Sequence, residues 1–228
     1  MNIKEVLGKV PLFSSLSGED LSKIISLFSD KTYSKKEHVF FESEPGRDFY
    51  IVRSGRIKIY KMSSGGQVKT LEYLETGDFF GEMALLESSP RSANAVAVSD
   101  SEVLVLRFDD FQSLLSEHPG ILLALARALC GRLRKADREI ELFSFKGVRD
   151  RLILCLINLA SRYGIDKPEG AVFLPGEFTH QDLSELAGTA REVVTRTMKE
   201  LRDEELIIKE PGGMTIPSVS ALRRKIAE

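Results

Sequence analysis

From Lys31 to Phe108 this chain is written in short apolar segments of three to five residues separated by turns, and after His118-Pro119-Gly120 it switches to an apolar stripe that recurs every 3.5 residues. A two-residue period belongs to strands and a 3.5-residue period to a helix, so a sheet domain must run directly into one long helix. The strand segments are Val39-Phe40-Phe41, Phe49-Tyr50-Ile51-Val52, Arg56-Ile57-Lys58-Ile59-Tyr60, Val68-Lys69-Thr70-Leu71, Val96-Ala97-Val98 and Val103-Leu104-Val105-Leu106. Between them stand Pro45-Gly46, Ser54-Gly55, Ser63-Ser64-Gly65-Gly66 and Thr76-Gly77-Asp78, turn sequences that supply positive φ. Six or more such strands predict a β-roll with an interior pocket.

A helical cap is expected ahead of the roll. Ser17-Gly18-Glu19-Asp20 reads as a helix start, and Leu21, Ile24, Ile25 and Phe28 follow at helical spacing. Beyond the roll, Asp109 to Leu115 reads as a short helix and the long one extends to about Phe145. Its stripe, Leu122, Leu125, Leu129, Leu133, Ala136, Ile140 and Phe143, has steps of 3, 4, 4, 3, 4 and 3 residues, a heptad seam. At 1.5 Å per residue the helix spans about 39 Å, more than a small roll covers, so two copies are expected to zip into a homodimer; the alternative is packing on the roll alone. Lys146-Gly147 breaks the pattern and reads as a hinge, with Gly147 supplying backbone freedom. The expected architecture is α+β: an effector-binding roll with its cap (residues 1–117), a dimerisation helix (118–146) and a C-terminal domain (147–228).

With 228 residues, 43% of them hydrophobic, the chain can build more than one core. No run of 18 apolar residues occurs, and Met1-Asn2-Ile3-Lys4-Glu5 lacks the layout of a signal peptide; a cytoplasmic protein without membrane contact is expected. The formal net charge of −2 offers no global attraction to nucleic acid, so any such contact must be local. Cys130 and Cys155 fall inside apolar helical patterns and read as buried, reduced thiols. His38, His118 and His180 lack i, i+4 spacing, so neither a metal nor a haem site is suggested. No nucleophile–base pair or Gly-x-Ser-x-Gly turn appears, and an enzyme is not expected.

Two stretches carry chemistry. In Gly81-Glu82-Met83-Ala84-Leu85-Leu86-Glu87-Ser88-Ser89-Pro90-Arg91-Ser92-Ala93, Gly81 permits close backbone approach at a helix start, Arg91 adds a fork suited to phosphate oxygens, and Glu82 can accept from a sugar hydroxyl. A salt bridge from Arg91 to Glu82 is the alternative use of that charge. In the second stretch, Thr179 caps a helix with Asp182 three residues on, and Ala187-Gly188 makes a tight turn. A second helix starts near Thr189 with Val194, Met198 and Leu201 on its inner face and Arg191, Glu192, Thr195, Arg196 and Lys199 away from it. Leu206 to Lys209 and Met214 to Ile216 flank Glu210-Pro211-Gly212-Gly213 as a hairpin wing. From Thr189 to Arg202 four basic residues face two acidic ones, enough for local phosphate contact, and arginine and glutamate suit guanine and cytosine edges.

The first stretch resembles the phosphate-binding cassette of cyclic nucleotide-binding domains, and nearly the whole chain resembles regulators of the cyclic AMP receptor protein/FNR family. The resemblance implies that Gly81, Glu82, Met83, Arg91, Ser92 and Ala93 hold a cyclic nucleotide, with Glu82 on the ribose hydroxyl and Arg91 and Ser92 on the phosphate. Cyclic AMP-responsive members carry a Thr-Ser pair on the long helix where this chain has Ala136-Asp137; an aspartate there suits the donors of guanine, which makes cyclic GMP the alternative to cyclic AMP. The resemblance further implies that Arg191, Glu192 and Arg196 read a TGTGA-like half-site, with Thr179, Gln181, Thr189, Thr195 and Lys199 beside them, that the dimer binds a palindromic operator in double-stranded DNA, and that it contacts RNA polymerase. No cofactor is obligatory, and two cysteines cannot supply the four-cysteine iron–sulfur cluster of some members. Two alternatives stay open: a regulator of the same fold that keeps the pocket without an effector, and an effector-binding module whose C-terminal helices contact protein.

Overall fold

The computed structural model describes residues 2–226. They form two compact units, residues 2–66 with 70–134 and residues 135–226 with 67–69, and the division falls inside the longest helix.

The first unit opens with α1 (Ile3–Lys9), capped by Asn2, and α2 (Gly18–Ile24), where the Asp20 amide donates to Ser17 Oγ at 3.1 Å. A 3₁₀ turn at Ile25–Leu27 then ends the helical run, and Phe28, expected on the helix, begins a strand, β1 (Phe28–Tyr33). Its four central residues are exposed, so no alternating pattern marks it; it is held by pairing in register with β8 (Ser101–Arg107), from Phe28 opposite Leu106 to Tyr33 opposite Ser101. Between these two lie β2 (His38–Phe40), β3 (Asp48–Ser54), β4 (Ile57–Met62), β5 (Val68–Leu74), β6 (Phe79–Phe80), α3 (Glu82–Glu87) and β7 (Asn94–Ala97). They make two four-stranded sheets, ordered β1-β8-β3-β6 and β2-β7-β4-β5.

Residues alternate across β3. Tyr50 and Val52 join Tyr33, Ile57, Leu74, Phe80, Ala95, Ala97, Val103 and Val105 in the roll's interior, while Phe49 and Ile51 join Leu104 and Leu106 in a second core with α1, α4 (Phe108–Glu117) and the start of α5 (Pro119–Phe145). Both faces are buried, which is why the segment reads as a continuous apolar run. Phe49 stacks 4.9 Å from Phe111 and 5.6 Å from Phe79, and each such buried aromatic contributes about 1.5–3 kcal/mol.

This second core changes the reading of α5. Ile121 and Leu125 are buried in it and Ala128 and Leu129 pack against it, so Leu125 and Leu129 are taken up by the roll and are not available to a dimer seam. Of the expected seam, Leu122, Leu133, Ala136, Ile140 and Phe143 stay exposed, and a second exposed stripe, Leu123, Ala126, Cys130, Leu133, Asp137 and Ile140 at steps of 3, 4, 3, 4 and 3, shares Leu133 and Ile140 with it. Cys130, expected to be buried, is exposed. The helix carries apolar residues at adjacent positions (Leu122-Leu123, Leu125-Ala126, Leu129-Cys130) and hence two stripes about 100° apart; only the neighbouring core selects between them.

In the second unit, α6 (Val148–Tyr163), β9 (Ile165–Asp166) and β10 (Val172–Pro175) precede α7 (His180–Ala187) and α8 (Arg191–Asp203), followed by β11 (Ile208–Glu210), β12 (Gly213–Ile216) and α9 (Val219–Arg224). The sheet order is β11-β12-β10-β9, a wing behind two helices. Gly147 precedes α6 with φ −66°, open to any residue, so the freedom read into it is not used. One edge of the exposed Phe143 ring packs on the turn after α7: a Cβ on Gly188 would lie 2.6 Å from it, and the Arg151 guanidinium sits 4.6 Å from the ring centre while donating to the carbonyls of Ala187 (3.1 Å) and Lys146 (3.2 Å). Cys155 is half-buried on α6, and burial pushes its thiol up to about 11. Among the described residues no helix is long and apolar enough to cross a membrane.

Candidate functional site

The Gly81–Ala93 stretch folds as a turn, a short helix and a return into β7. Gly81 takes φ +84°, and a Cβ there would lie 2.7 Å from Arg91 Nη1 and 3.0 Å from the Asp48 carbonyl, so only glycine fits. Gly46 closes the other side; its Cβ would stand 2.7 Å from Arg91 Nε. Arg91 is thus seated between two glycines, 5% exposed, with its guanidinium 4.3 Å from the Phe40 ring centre and 5.4 Å from that of Tyr50. Its amide donates to Glu44 O (2.8 Å) and its carbonyl accepts from Ser43 (2.9 Å), which fixes the residue to the preceding loop.

Arg91 does not pair with Glu82. It donates from Nη1 to Gly81 O and from Nη2 to Asp48 O, both at 3.0 Å, and Nε is buried without a hydrogen-bond partner. Burial draws its pKa below the usual arginine value, with Tyr50, Asp48 and Glu82 opposing. Burial also raises the Tyr50 phenol above its ordinary range. Glu82 is 2% exposed; Oε1 accepts from Arg132 Nη1 at 2.5 Å, and Oε2 is buried without a partner. Arg132 also donates to Phe79 O at 2.6 Å and lies 4.6 Å from the Phe79 ring centre. Although Arg91 bonds two carbonyls and Glu82 is paired with Arg132, one donor atom (Arg91 Nε) and one acceptor atom (Glu82 Oε2) stay unsatisfied in a buried place, which costs free energy unless a ligand supplies an acceptor and a hydroxyl together. A cyclic nucleotide has both. Ser92 and Met83 are exposed at the rim, with Ser92 Oγ 3.5 Å from Met83 Sδ, and Ala93 is buried. Asp137 and Ala136 are exposed residues of α5 in the other unit.

Arg132 escapes a reading of the sequence alone, although a signal exists. Ile121, Leu125, Ala128 and Arg132 follow one another at steps of 4, 3 and 4, so an arginine continues the buried stripe and demands a buried acid. Arg132→Ala leaves the Glu82 carboxylate without its counter-charge; we expect a loss of about 2–3 kcal/mol in chemical denaturation, and a smaller loss for Glu82→Gln combined with Arg132→Met.

The second constellation lies in α7 and α8. Asp182 N donates to Thr179 Oγ1 (3.2 Å) and Thr179 N to Asp182 Oδ2 (2.8 Å), a reciprocal cap. Gly188 ends α7 in the left-handed region at φ +61°, and α8 begins at Arg191, two residues later than expected. Val194, Met198 and Leu201 are buried, while Arg191, Glu192, Thr195, Arg196 and Lys199 are exposed. The side chains of Arg191, Glu192, Arg196 and Lys199 make no hydrogen bond or ion pair among the described residues, whereas Gln181 Nε2 donates to Glu185 Oε1 at 3.1 Å and Thr189 is half-buried. A charged, unpaired face opposite a packed one suits base edges. No group of three or more His, Cys, Asp or Glu that could hold a metal is present among the described residues.

Comparison with known proteins agrees with both constellations. The cyclic nucleotide-binding domain family matches residues 30–118 and the Crp-like helix-turn-helix domain family matches residues 150–225. The chain is 36% identical to the cyclic AMP receptor protein of Thermus thermophilus over 212 residues (93% of this chain, 94% of that one), and 25% identical to the CRP-like cAMP-activated global transcriptional regulator of Mycobacterium tuberculosis over 221 residues (97% and 98%). The crystal structure of the Thermus thermophilus catabolite activator protein superimposes with a TM-score of 0.56 at 34% identity (94% of this chain, 97% of that one). The c-di-GMP responsive regulator CLP of Xanthomonas campestris shares the fold, with a TM-score of 0.78 at 24% identity (88% and 99%). With its cyclic nucleotide-binding domain, long helix and Crp-like helix-turn-helix, the chain belongs to the cyclic AMP receptor protein/FNR family of transcription regulators.

Proposed function

We propose that this regulator is a cytoplasmic homodimer whose roll binds a cyclic nucleotide, cyclic AMP first and cyclic GMP as the alternative, and whose paired α8 helices read a TGTGA-like palindrome. The observation that carries the effector reading is the buried, partnerless pair of Arg91 Nε and Glu82 Oε2 on a turn framed by Gly46 and Gly81. Arg91 and Ser92 would take the phosphate, Glu82 the ribose hydroxyl, and Asp137 the base. Binding to the DNA-competent state in preference to the other would shift the population, and by reciprocity DNA would tighten the nucleotide. Activation would then run through contact with RNA polymerase.

Calorimetric titration of nucleotide-free protein tests this reading. Saturable micromolar binding of cyclic AMP or cyclic GMP supports it and identifies the base; no heat with either, from folded protein that still binds a TGTGA palindrome, favours effector-independent regulation. One feature favours that second reading: Arg91 already reaches two carbonyls and Glu82 already has Arg132, so the turn folds on its own contacts.

The dimer reading is supported by the exposed stripe at heptad spacing, in which Cys130 occupies a core position. In a parallel pair, equivalent core positions meet across the two-fold axis. A short bismaleimide is expected to convert the protein to a covalent dimer on denaturing gels, and Cys130→Ser to abolish the product. Equal cross-linking in that variant would exclude this seam.

A further inference from the structure

His180 is the one histidine of the second unit, and no role in DNA contact follows from its sequence position alone. It is the first residue of α7, half-buried, and its Nδ1 lies 3.0 Å from Thr195 Oγ1 on the exposed face of α8. The tautomer follows from the partner. Thr195 has one hydroxyl proton and donates it to the Arg191 carbonyl at 3.0 Å, so toward His180 it acts as acceptor and Nδ1 carries the hydrogen. The neutral ring therefore shows an unprotonated Nε2, which has no hydrogen-bond partner among the described residues. The charged groups that bear on the ring are Arg191 and Arg202 of α8 and Lys209 of β11, all of them basic. Burial first, and then these cations, depress the imidazole below its ordinary value.

We propose that His180 is a proton-linked phosphate contact, which on DNA binding takes up a proton and donates from Nε2 to a backbone phosphate oxygen while Nδ1 stays on Thr195. The inference rests on this domain's binding DNA. A duplex against this face brings phosphate charge beside a ring otherwise surrounded by cations, which reverses the sign of the local field and favours the second proton. The first helix of a helix-turn-helix crosses the backbone while the second enters the groove, so a residue that bridges them stands where a phosphate passes. The sign of the pH dependence is fixed. The ring's pKa is higher in the complex than in the free protein, so the extra affinity is present at low pH and fades as pH rises through the bound-state value.

The test is DNA binding by fluorescence anisotropy between pH 8 and pH 6 at constant ionic strength, with saturating nucleotide if the titration above shows binding. Wild type is expected to tighten by about tenfold or more per half-site over this range relative to His180→Gln, and its salt slope to steepen by about one per half-site at pH 6. His180→Arg, charged at every pH, should stay as tight at pH 8 as wild type is at pH 6. Because phosphate is read without sequence, a scrambled duplex should show the same pH increment. An unchanged pH profile in His180→Gln, or an increment confined to the operator, overturns the proposal while leaving DNA binding intact. Failure of wild type to bind any duplex at any pH overturns both.

Discussion

Replacing Arg191 and Arg196 together by alanine is expected to weaken operator binding by about three orders of magnitude or more and leave the fold intact. Each arginine that pairs bidentately with a base edge is worth about 1–3 kcal/mol of discrimination, and a two-fold dimer uses each residue twice, so even the low end sums to roughly 4 kcal/mol. Both side chains are exposed and make no hydrogen bond or ion pair among the described residues, so their removal leaves no buried group unsatisfied. The inner face of α8, with Val194, Met198 and Leu201 buried, is untouched. Affinity for scrambled duplex should fall much less, since arginine there contributes only phosphate neutralisation. A competition assay with operator and scrambled DNA measures both, and size-exclusion chromatography reports retained assembly. Equal loss on both sequences would mean that these arginines position the helix without reading bases. Unchanged binding with a lost protein partner would favour the interaction-module reading.

Arg91→Ala is expected to weaken cyclic nucleotide binding by about 10²–10³-fold. The basis is the loss of charge-assisted hydrogen bonds to a phosphate, each worth about 1.5–3 kcal/mol in a site that excludes water. This substitution also has a structural cost. It opens space between Phe40 and Tyr50 and strips a donor from the Gly81 and Asp48 carbonyls, which should lower stability by about 1–3 kcal/mol without abolishing folding. Arg91→Lys separates the two effects, because it keeps the charge and fills part of the space but lacks the planar fork. An affinity between those of wild type and alanine, with stability near wild type, would assign the larger effect to ligand contact. A folded Arg91→Ala protein that binds nucleotide as tightly as wild type would remove Arg91 from the site.

What could be read from the residues, and what could not, divides by range of interaction. The turn at Gly81, the reciprocal cap of Thr179 with Asp182 and the left-handed Gly188 each depend on a few neighbouring residues, whose backbone preferences are written locally. The strand Phe28–Tyr33 was not legible, since its exposed centre shows no alternation and it exists through pairing with a segment some seventy residues away. On the long helix, adjacent apolar residues (Leu122-Leu123, Leu125-Ala126, Leu129-Cys130) offer two faces with the same period, and periodicity alone does not say that Leu125 and Leu129 turn to the roll. The same ambiguity hid Arg132, which lies on the roll-facing stripe and takes the buried Glu82 as its partner.

The sequence by itself determined the succession of a strand-rich segment, a long helix and a C-terminal domain, the glycine-framed turn that seats Arg91, and the two-helix motif with its wing, because caps, tight turns and periodicity act within a few residues. Only the tertiary structure decided which face of α5 meets the roll and which stays open, that Arg132 rather than Arg91 neutralises Glu82, and that His180 reaches Thr195. Those outcomes depend on burial and charge pairing between residues far apart in the chain, where the free energy of a side chain is set by its surroundings and not by its neighbours in sequence.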